Sequence, residues 1–254
     1  MTSDHDGLPF LIAHRGNAAD YPENTLAALR SAIEVGLRHV EFDVQLTRDG
    51  VPVVMHDSDL RRMTGQVDCV HDVDWSDLAQ VPLTEPGRFG DRFRELRVSR
   101  LADVLASLQQ WPDATAFVEV KRASLRRFGH DAVLERMASA VAKHLETSVL
   151  ISFDLPCVER LRAMTGARIG WVIERYDEET RAQARVLSPD WLFADFEGLP
   201  READATLWHG PWSWAIYEVQ DLATARRCAE LGAHAVETMH VRAMLDAYAG
   251  AAAP

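Results

Sequence analysis

The sequence has few cysteines, no long apolar run and no basic N-terminal segment. Its three cysteines, Cys69, Cys157 and Cys228, are scattered and form no C-x-x-C pair, so we expect unbridged thiols. No apolar stretch approaches the roughly 18 residues of a membrane span, and the polar, acidic start at residues 1–7 is unlike a secretory signal. These absences predict a cytoplasmic protein without membrane insertion.

Positive charge is also scarce. Lysine and arginine number 27 against 39 aspartates and glutamates, which gives a formal net charge of −12. Nucleic acids and anionic membrane surfaces attract basic patches, so neither is expected as a partner. A single small phosphate compound remains compatible with this composition, because it needs only local positive charge and a metal ion.

Short apolar runs alternate with helical patterns along most of the 254 residues. The predicted strands are 10–14, 40–46, 116–121, 149–153, 168–173, 191–194, 214–217 and 233–237, and the helices between them include 101–111, 131–145, 155–164, 178–187 and 222–231. This alternation predicts an α/β protein, a (β/α)8 TIM barrel, with a single domain over residues 1–254. Residues 60–98 break the alternation, and we interpret them as a short insertion or lid after the third strand-like segment.

Polar residues stand at or near the ends of the predicted strands. They are His14, Arg15, Glu41, Asp43, Glu119 and Lys121. In a TIM barrel the carboxyl ends of the strands form the active-site face, so we expect these side chains to meet there.

The dipeptide Asp49-Gly50 lies between two strand-like runs and predicts a two-residue hairpin turn. In that register Asp43 pairs with His56, and directly paired residues point to the same face. Glu41 lies two positions along that face, so one hairpin would bring Glu41, Asp43 and His56 together.

These residue types indicate a phosphate and a divalent metal. Carboxylates without thiolates suit a hard cation, Mg²⁺ or Ca²⁺, while Arg15 and Lys121 suit phosphate oxygens. Histidine titrates near neutral pH, so His14 and His56 can serve as general base and general acid, in either order. Each motif alone also fits an exposed strand end or turn. The functional interpretation therefore depends on their joint occurrence at strand ends.

At these residues the sequence resembles the glycerophosphodiester phosphodiesterase family. The motifs that carry the resemblance are His14-Arg15-Gly16, Pro22-Glu23-Asn24-Thr25, Glu41-Phe-Asp43, Leu46-Thr-Arg-Asp-Gly50 and His56-Asp57, with weaker matches at 60–65, 118–121 and 151–153. The match is dense over residues 11–65, sparse to about 155 and weak beyond.

The resemblance implies a metal-dependent barrel enzyme that hydrolyses glycerophosphodiesters, which are deacylated phospholipids, to an alcohol and sn-glycerol 3-phosphate. It implies metal ligands, namely Glu41, Asp43 and Glu119, for one Mg²⁺ or Ca²⁺ ion. It also implies His14 and His56 as the acid–base pair. Arg15 and Lys121 would hold the phosphate, and Glu23 would orient Arg15.

The C-terminal part departs from the family pattern. Where the family usually has Trp-Thr-Val-Asn and Thr-Asp-x-Pro, this chain has Tyr217-Glu-Val-Gln220 and Thr238-Met-His-Val241. These positions should lie nearer to the organic part of the substrate than to the metal, so we expect Tyr217 to bind substrate and the preferred diester to be set here. Three tryptophans either line a pocket for the substrate or pack as ordinary aromatics: Trp208, Trp212 and Trp214.

Two other functions fit parts of the sequence. A phospholipase-like enzyme on the same barrel would need an exposed apolar rim, and no obvious apolar loop is present. A non-catalytic phosphate-binding paralogue would lack a histidine or carboxylate of the motifs, and none is missing. The sequence leaves open Mg²⁺ or Ca²⁺, direct attack by water or a cyclic phosphate intermediate, and the oligomeric state.

Overall fold

Eight parallel strands close into a barrel with helices around it, as the alternating pattern predicts. A computed structural model describes residues 7–202 and 204–251. Residues 1–6, whose polar character enters the prediction of location, lie outside the described residues.

The strands are β1 (Phe10–Ala13), β2 (His39–Leu46), β3 (Pro52–Val54), β4 (Thr115–Val120), β5 (Ser148–Ser152), β6 (Arg168–Val172), β7 (Trp191–Asp195), β8 (Ser213–Tyr217) and β9 (Ala235–Thr238). Their order is β1-β9-β8-β7-β6-β5-β4-β2, and the β1–β2 pairing, with Ala13 opposite Val40, closes the barrel. β3 is antiparallel to β2 and lies outside the parallel set. The predicted TIM barrel is therefore confirmed.

The helices are α1 (Leu26–Glu34), α2 (Arg61–Thr64), α3 (Trp75–Leu78), α4 (Pro86–Phe89), α5 (Leu101–Leu108), α6 (Arg122–Phe128), α7 (His130–Val141), α8 (Leu155–Thr165), α9 (Glu178–Leu187), α10 (Leu222–Leu231) and α11 (Val241–Ala251). The predicted helices over 101–111 and 131–145 end earlier, at Leu108 and Val141. A separate 3₁₀ turn at Leu145–Thr147 follows α7.

Both faces of the barrel strands are buried, because parallel strands have helices outside and side chains inside. The inner core holds Ile12, Phe117, Val149, Ile151, Val172, Trp191, Phe193, Ala215 and Ala235. Alternate residues such as Phe42 and Val44 point outwards into the larger core beneath the helices. This alternation places Glu41, Asp43 and Glu119 on the inner face.

The β2–β3 hairpin differs from the predicted two-residue turn. Val44 lies opposite Val54, and the backbone N–H of Met55 donates to the carbonyl of Asp43, so Asp43 faces Met55 and not His56. The loop has three residues, 48–50, and ends with Gly50 at φ +78°. The cause is the Thr47 hydroxyl, which accepts the Val51 N–H at 2.9 Å and donates to Asp49 at 2.5 Å, favouring a bulged loop.

The segment after β3 has a small apolar core of its own. It contains α2, α3, α4 and a 3₁₀ turn at Val70–Asp72, and the buried cluster comprises Val53, Met55, Leu60, Met63, Val70, Leu78, Leu83 and Val98. The segment predicted as an insertion thus forms short helices around an apolar cluster, and its role as an insertion or lid stays a prediction.

The three cysteines are unbridged, as predicted. Cys157 and Cys228 are buried, and burial raises the pKa of both thiols to about 12. Among the described residues, the helices lack the length and apolar character needed to cross a bilayer.

Candidate active site

A pocket opens at the carboxyl ends of the barrel strands, on the face where TIM-barrel active sites lie. It is lined by His14, Arg15, Glu41, His56, Glu119, Lys121, Ile151, Phe153, Val172, Phe193, Tyr217, Glu218 and Glu237. Seven of the nine residues predicted for the site line this pocket. The other two, Asp43 and Glu23, contact pocket residues from behind.

Three carboxylates meet at one side of the pocket. Glu41, Asp43 and Glu119 each offer an oxygen, and these atoms lie within 4.8 Å of one another. β2 supplies the first two, and Asp43 lies directly opposite Glu119 in the β2–β4 register. The exposed fractions of Glu41 and Asp43 are 1% each. So much buried negative charge needs cations beside it.

Lys121 and Arg15 supply part of that positive charge. The Lys121 ammonium lies 3.0 Å from Asp43 Oδ1 and 2.8 Å from Glu119 Oε1, and Arg15 Nε lies 3.2 Å from Asp43 Oδ2. The Arg15 backbone N–H also donates to Glu41 at 3.0 Å. Both cations line the pocket, so each can contact an anionic ligand as well.

The turn after β1 places Arg15, and its geometry explains the glycine in His14-Arg15-Gly16. Arg15 and Gly16 have φ values of +59° and +82°, in the left-handed region. A Cβ on Gly16 would lie 2.6 Å from the Ala28 carbonyl carbon, so α1 packs directly on this turn.

Asn24 is a site residue that the sequence argument missed. Asn24 does not cap α1, the helix that follows it. The cap is Thr25, whose hydroxyl accepts the Ala28 N–H at 3.1 Å. Asn24, at φ +56°, donates its side-chain amide to Asp43 Oδ2 at 2.8 Å and accepts the Asp43 N–H at 3.0 Å. The sequence signal for this contact is the Pro-Glu-Asn-Thr motif, to which Asn24 itself belongs.

Glu23 lies in a chain of ion pairs. Arg15 Nη1 donates to Glu23 Oε1 at 3.1 Å, and Arg62 Nη2 donates to the same oxygen at 2.7 Å. Arg62 Nε also donates to Asp57 Oδ2 at 2.6 Å, and the other oxygen of Asp57 lies 2.7 Å from His56 Nδ1. Arg62 thus joins Glu23 to the carboxylate that holds His56.

Both predicted histidines line the pocket. His56 follows β3 and has Asp57 at its Nδ1 atom. The buried His14 ring lies between two carboxylates, with Nε2 3.8 Å from Glu41 and Nδ1 3.8 Å from Glu218. His56 reaches the pocket although it does not pair with Asp43, because it lies beyond the end of β3.

Crowding of charges shifts the pKa values on this side of the pocket. Burial and the neighbouring Asp43 raise the pKa of Glu119 to about 7 and raise the pKa of Glu41 well above its ordinary value. Burial alone would raise the pKa of Asp43, but Lys121 and Arg15 hold it well below its ordinary value. Burial and the cation of Arg15 lower the pKa of His14 to about 3.

The three carboxylates fit a divalent metal. They are all oxygen donors, as hard cations require. Glu41 Oε1 is buried and has no hydrogen-bond partner among the described residues. A metal bound there would supply that partner and would offset the repulsion that raises the pKa values of Glu41 and Glu119.

Two further acidic residues line the pocket: Glu218, in the segment 217–220 that departs from the family pattern, and Glu237, which no motif indicated. Glu237 on β9 is 3% exposed, and Glu218 follows β8. Tyr217 also lines the pocket, and its contact with substrate stays a prediction. Burial and the charges of Asp195, Glu237, Glu119 and Glu174 raise its pKa well above the ordinary value.

The three tryptophans pack in the outer core. Trp208, Trp212 and Trp214 are 8%, 5% and 2% exposed, and the Trp214 indole N–H donates to the Trp208 carbonyl at 3.1 Å. They belong to the cluster beneath the helices and do not line the pocket.

Comparison with known proteins finds relatives that are named glycerophosphodiester phosphodiesterase. Glycerophosphodiester phosphodiesterase 1 of Mus musculus is 35% identical over 136 residues, which are 54% of this chain and 38% of that protein. A glycerophosphodiester phosphodiesterase of Caldanaerobacter subterraneus subsp. tengcongensis is 33% identical over 144 residues, 56% of each chain. The matched regions thus cover about half or less of these relatives' length.

A solved structure shares the whole fold. The phosphodiesterase OLEI02445 of Oleispira antarctica, in complex with the product sn-glycerol-3-phosphate, has a TM-score of 0.82 over 94% of this chain and 96% of that chain, at 21% identity. At this identity the likeness shows the fold alone.

The family model described as the Glycerophosphoryl diester phosphodiesterase family matches residues 14–242, which include every predicted site residue. The chain belongs to the glycerophosphoryl diester phosphodiesterase family.

Proposed function

We propose that the chain hydrolyses glycerophosphodiesters to an alcohol and sn-glycerol 3-phosphate, with the help of one divalent metal ion. The observation that carries the proposal is the group of three carboxylates within 4.8 Å of one another, with Lys121 and Arg15 against it in the same pocket. Family membership and the curated relatives named glycerophosphodiester phosphodiesterase support the reaction.

In this proposal Glu41, Asp43 and Glu119 hold the metal, which is Mg²⁺ or Ca²⁺. When bound, the metal would act as a Lewis acid that offsets charge on the phosphodiester. Asn24 supports the arrangement by bonding both the side chain and the backbone of Asp43.

Arg15 and Lys121 bind the phosphate of the diester. Their pocket-facing charges attract the single negative charge of the substrate, and Glu23 fixes the direction of the Arg15 guanidinium from behind. Tyr217 contacts the organic part of the substrate from the other side of the pocket.

His14 and His56 transfer protons. One removes a proton from the attacking nucleophile, which is water or a hydroxyl of the substrate, and the other gives a proton to the leaving alkoxide. The carboxylate of Asp57 accepts from Nδ1–H of His56, which leaves Nε2 free for the substrate side. The three free cysteines suit the cytoplasmic location that we expect for this activity.

The proposal is tested by assaying release of sn-glycerol 3-phosphate from glycerophosphocholine, with Mg²⁺ or Ca²⁺ and with EDTA. We expect metal-dependent release, and a loss of about 10²–10⁴-fold in kcat for His14→Ala and for His56→Ala, the range for a missing acid or base. His209→Ala, at an exposed histidine outside the pocket, is the matched control. Equal rates in all three variants, or no release by the wild-type protein with either metal, would contradict the proposal.

A further inference from the structure

Three neighbouring strands place a second set of polar residues in one row. Asp195 at the end of β7 lies directly opposite Tyr217 at the end of β8. The β8–β9 register pairs Ile216 with Val236, and Tyr217 and Glu237 are the next residues on the two strands. We name Asp195, Tyr217 and Glu237 the acidic wall. Tyr217 and Glu237 line the same pocket as Glu41 and Glu119.

In the part of the chain that the structure describes, neither acid of the acidic wall has a cation within ion-pair distance, although the charge of Arg15 acts on Glu237 and Arg175 lines the outer cavity together with Asp195. Glu237 is 3% exposed, lines the pocket, and its Oε1 atom has no hydrogen-bond partner among the described residues. Asp195 is exposed and accepts the Glu197 N–H at 2.9 Å. No lysine, arginine or histidine of the described ranges forms an ion pair with either carboxylate. A buried carboxylate without a partner is costly, so this wall is suited to a cationic ligand.

Aromatic rings complete the site. Phe153 and Tyr217 have centroids 6.4 Å apart at an interplanar angle of 70°, and both rings line the pocket. They also line a second cavity that continues outwards past Asp195 and Tyr176. Arg122 covers one face of Phe153 and pairs with Glu174 at 2.8 Å, so Glu174 is already neutralised. Aromatic faces beside free carboxylates are the chemistry that recognises ammonium groups.

The charge of the pocket supports the same conclusion. Four glutamates line it, against two fixed cations: the glutamates are Glu41, Glu119, Glu218 and Glu237, and the cations are Arg15 and Lys121. With all four glutamates ionised, one divalent metal would balance that excess, and a bound phosphodiester would make the pocket negative again. A positive charge on the substrate would offset it, and it would be attracted to the side away from Arg15 and Lys121.

We propose that the acidic wall is a binding subsite for an ammonium group on the leaving alcohol, so that the protein prefers diesters with a cationic alcohol. The inference rests on the proposed function and adds a substrate class to it. The phosphate lies between the two halves of the pocket, held by Arg15 and Lys121. The ammonium group lies against Tyr217, between Asp195 and Glu237.

The test compares two substrates that differ only in charge. One is glycerophosphocholine; the other is its neutral isostere, the 3,3-dimethylbutyl diester, in which carbon replaces nitrogen. We expect kcat/KM of the wild-type protein to favour the cationic diester by about tenfold, mainly through KM. Glu237→Gln and Asp195→Asn should each lower this ratio by about threefold or more. The exposed Glu197→Gln removes one charge near the wall but outside both cavities, and it should leave the ratio unchanged.

Each other outcome has a defined meaning. A wild-type kcat/KM ratio of the two diesters near one overturns the inference. Equal losses of kcat/KM on both diesters in Glu237→Gln also overturn it, and such losses are expected if Glu237 held a second metal or the glycerol hydroxyls. If neither diester is hydrolysed, the proposed function fails. In that case, calorimetry measures the affinity of wild type and of Glu237→Gln for the two intact diesters. Tighter binding of the cationic diester by the wild type alone supports the subsite, and equal affinities for the two diesters overturn it.

Discussion

At the scale of single residues, Arg62 joins two parts of the site without lining the pocket. Its guanidinium holds Glu23, which binds Arg15, and it holds Asp57, which binds His56. Both contacts use the flat fork of an arginine, which a lysine cannot reproduce. We therefore regard Arg62 as a positioning residue that sets the phosphate-binding and proton-transfer groups together.

Replacing Arg62 should impair turnover more than binding. For Arg62→Met we expect kcat on a glycerophosphodiester to fall by about 10–100-fold with a smaller change in KM, because small displacements of reacting groups are costly. Arg62→Lys should recover only part of the loss. Steady-state kinetics with kcat and KM resolved provide the measurement.

Arg61→Met is the matched control for this prediction. Arg61 is the exposed neighbour on α2, and its side chain has no ion pair in the described part of the chain. If Arg62→Met and Arg61→Met have the same kinetic constants, Arg62 does not position the site.

At the scale of elements, the β2–β3 hairpin shows which part of the site the sequence could predict. Asp49-Gly50 correctly indicated a hairpin, but the observed register differs from the predicted one by one residue. The reason is that the Val51 N–H donates to the Thr47 hydroxyl and not to the Thr47 carbonyl. Met55, opposite Asp43, is thereby turned into the core of the insertion. A dipeptide signal identifies the turn but cannot report such a side-chain contact.

The insertion is attached to the barrel through a buried polar contact. His71, in the 3₁₀ turn, has Nε2 3.1 Å from the Gln45 side-chain oxygen of β2, and Ser124 of α6 donates to the same oxygen at 2.7 Å. The Phe128 ring lies edge-on to the imidazole at 5.4 Å. Burial lowers the pKa of His71.

This pKa shift predicts a loss of stability in acid. Below about pH 6.5, the ordinary value for histidine, the unfolded chain binds a proton that folded His71 still resists. The free energy of unfolding should therefore decrease as pH falls through and below that value. The contribution of neutral His71 to stability is complete above it. Urea unfolding at pH 8, 7, 6 and 5 tests this, with His71→Gln expected to show a flatter pH dependence.

The exposed His209→Gln is the control for the His71 prediction. Its stability should follow the wild-type pH dependence. If His71→Gln does so as well, the buried imidazole is not a source of acid sensitivity.

At the scale of the whole molecule, the barrel mouth has two halves that were unequally visible in the sequence. The half built from β1, β2 and β4 carries short motifs, and it could be predicted from His14, Glu41 and Glu119. The other half could not, because Asp195 and Glu237 are single acids in ordinary apolar strands. Only the closed register of eight strands shows that they lie on the two strands that flank Tyr217. The alternating pattern was sufficient to predict the barrel because it is repeated over many elements. A single acidic residue in one strand gives no such repeated signal.

The buried carboxylates also predict how the whole fold responds to metal. Repulsion among Glu41, Asp43 and Glu119 opposes folding, and a divalent ion that binds only the folded protein relieves it. At about a hundred times its Kd such an ion stabilises by about 2.7 kcal/mol, which corresponds to a rise in Tm of about 5–10 °C for a domain of this size.

Thermal unfolding of EDTA-treated protein, with Mg²⁺ and Ca²⁺ added separately at constant ionic strength, measures this rise. Glu119→Gln should lose most of it, because one of the three ligands is gone. Glu135→Gln, at an exposed acid on α7, should keep it. The comparison uses the rise and not Tm itself, since Glu119→Gln also removes a partner of Lys121. An equal rise in both variants would place the metal away from the three carboxylates, because a nonspecific effect of divalent ions does not depend on which acid is removed.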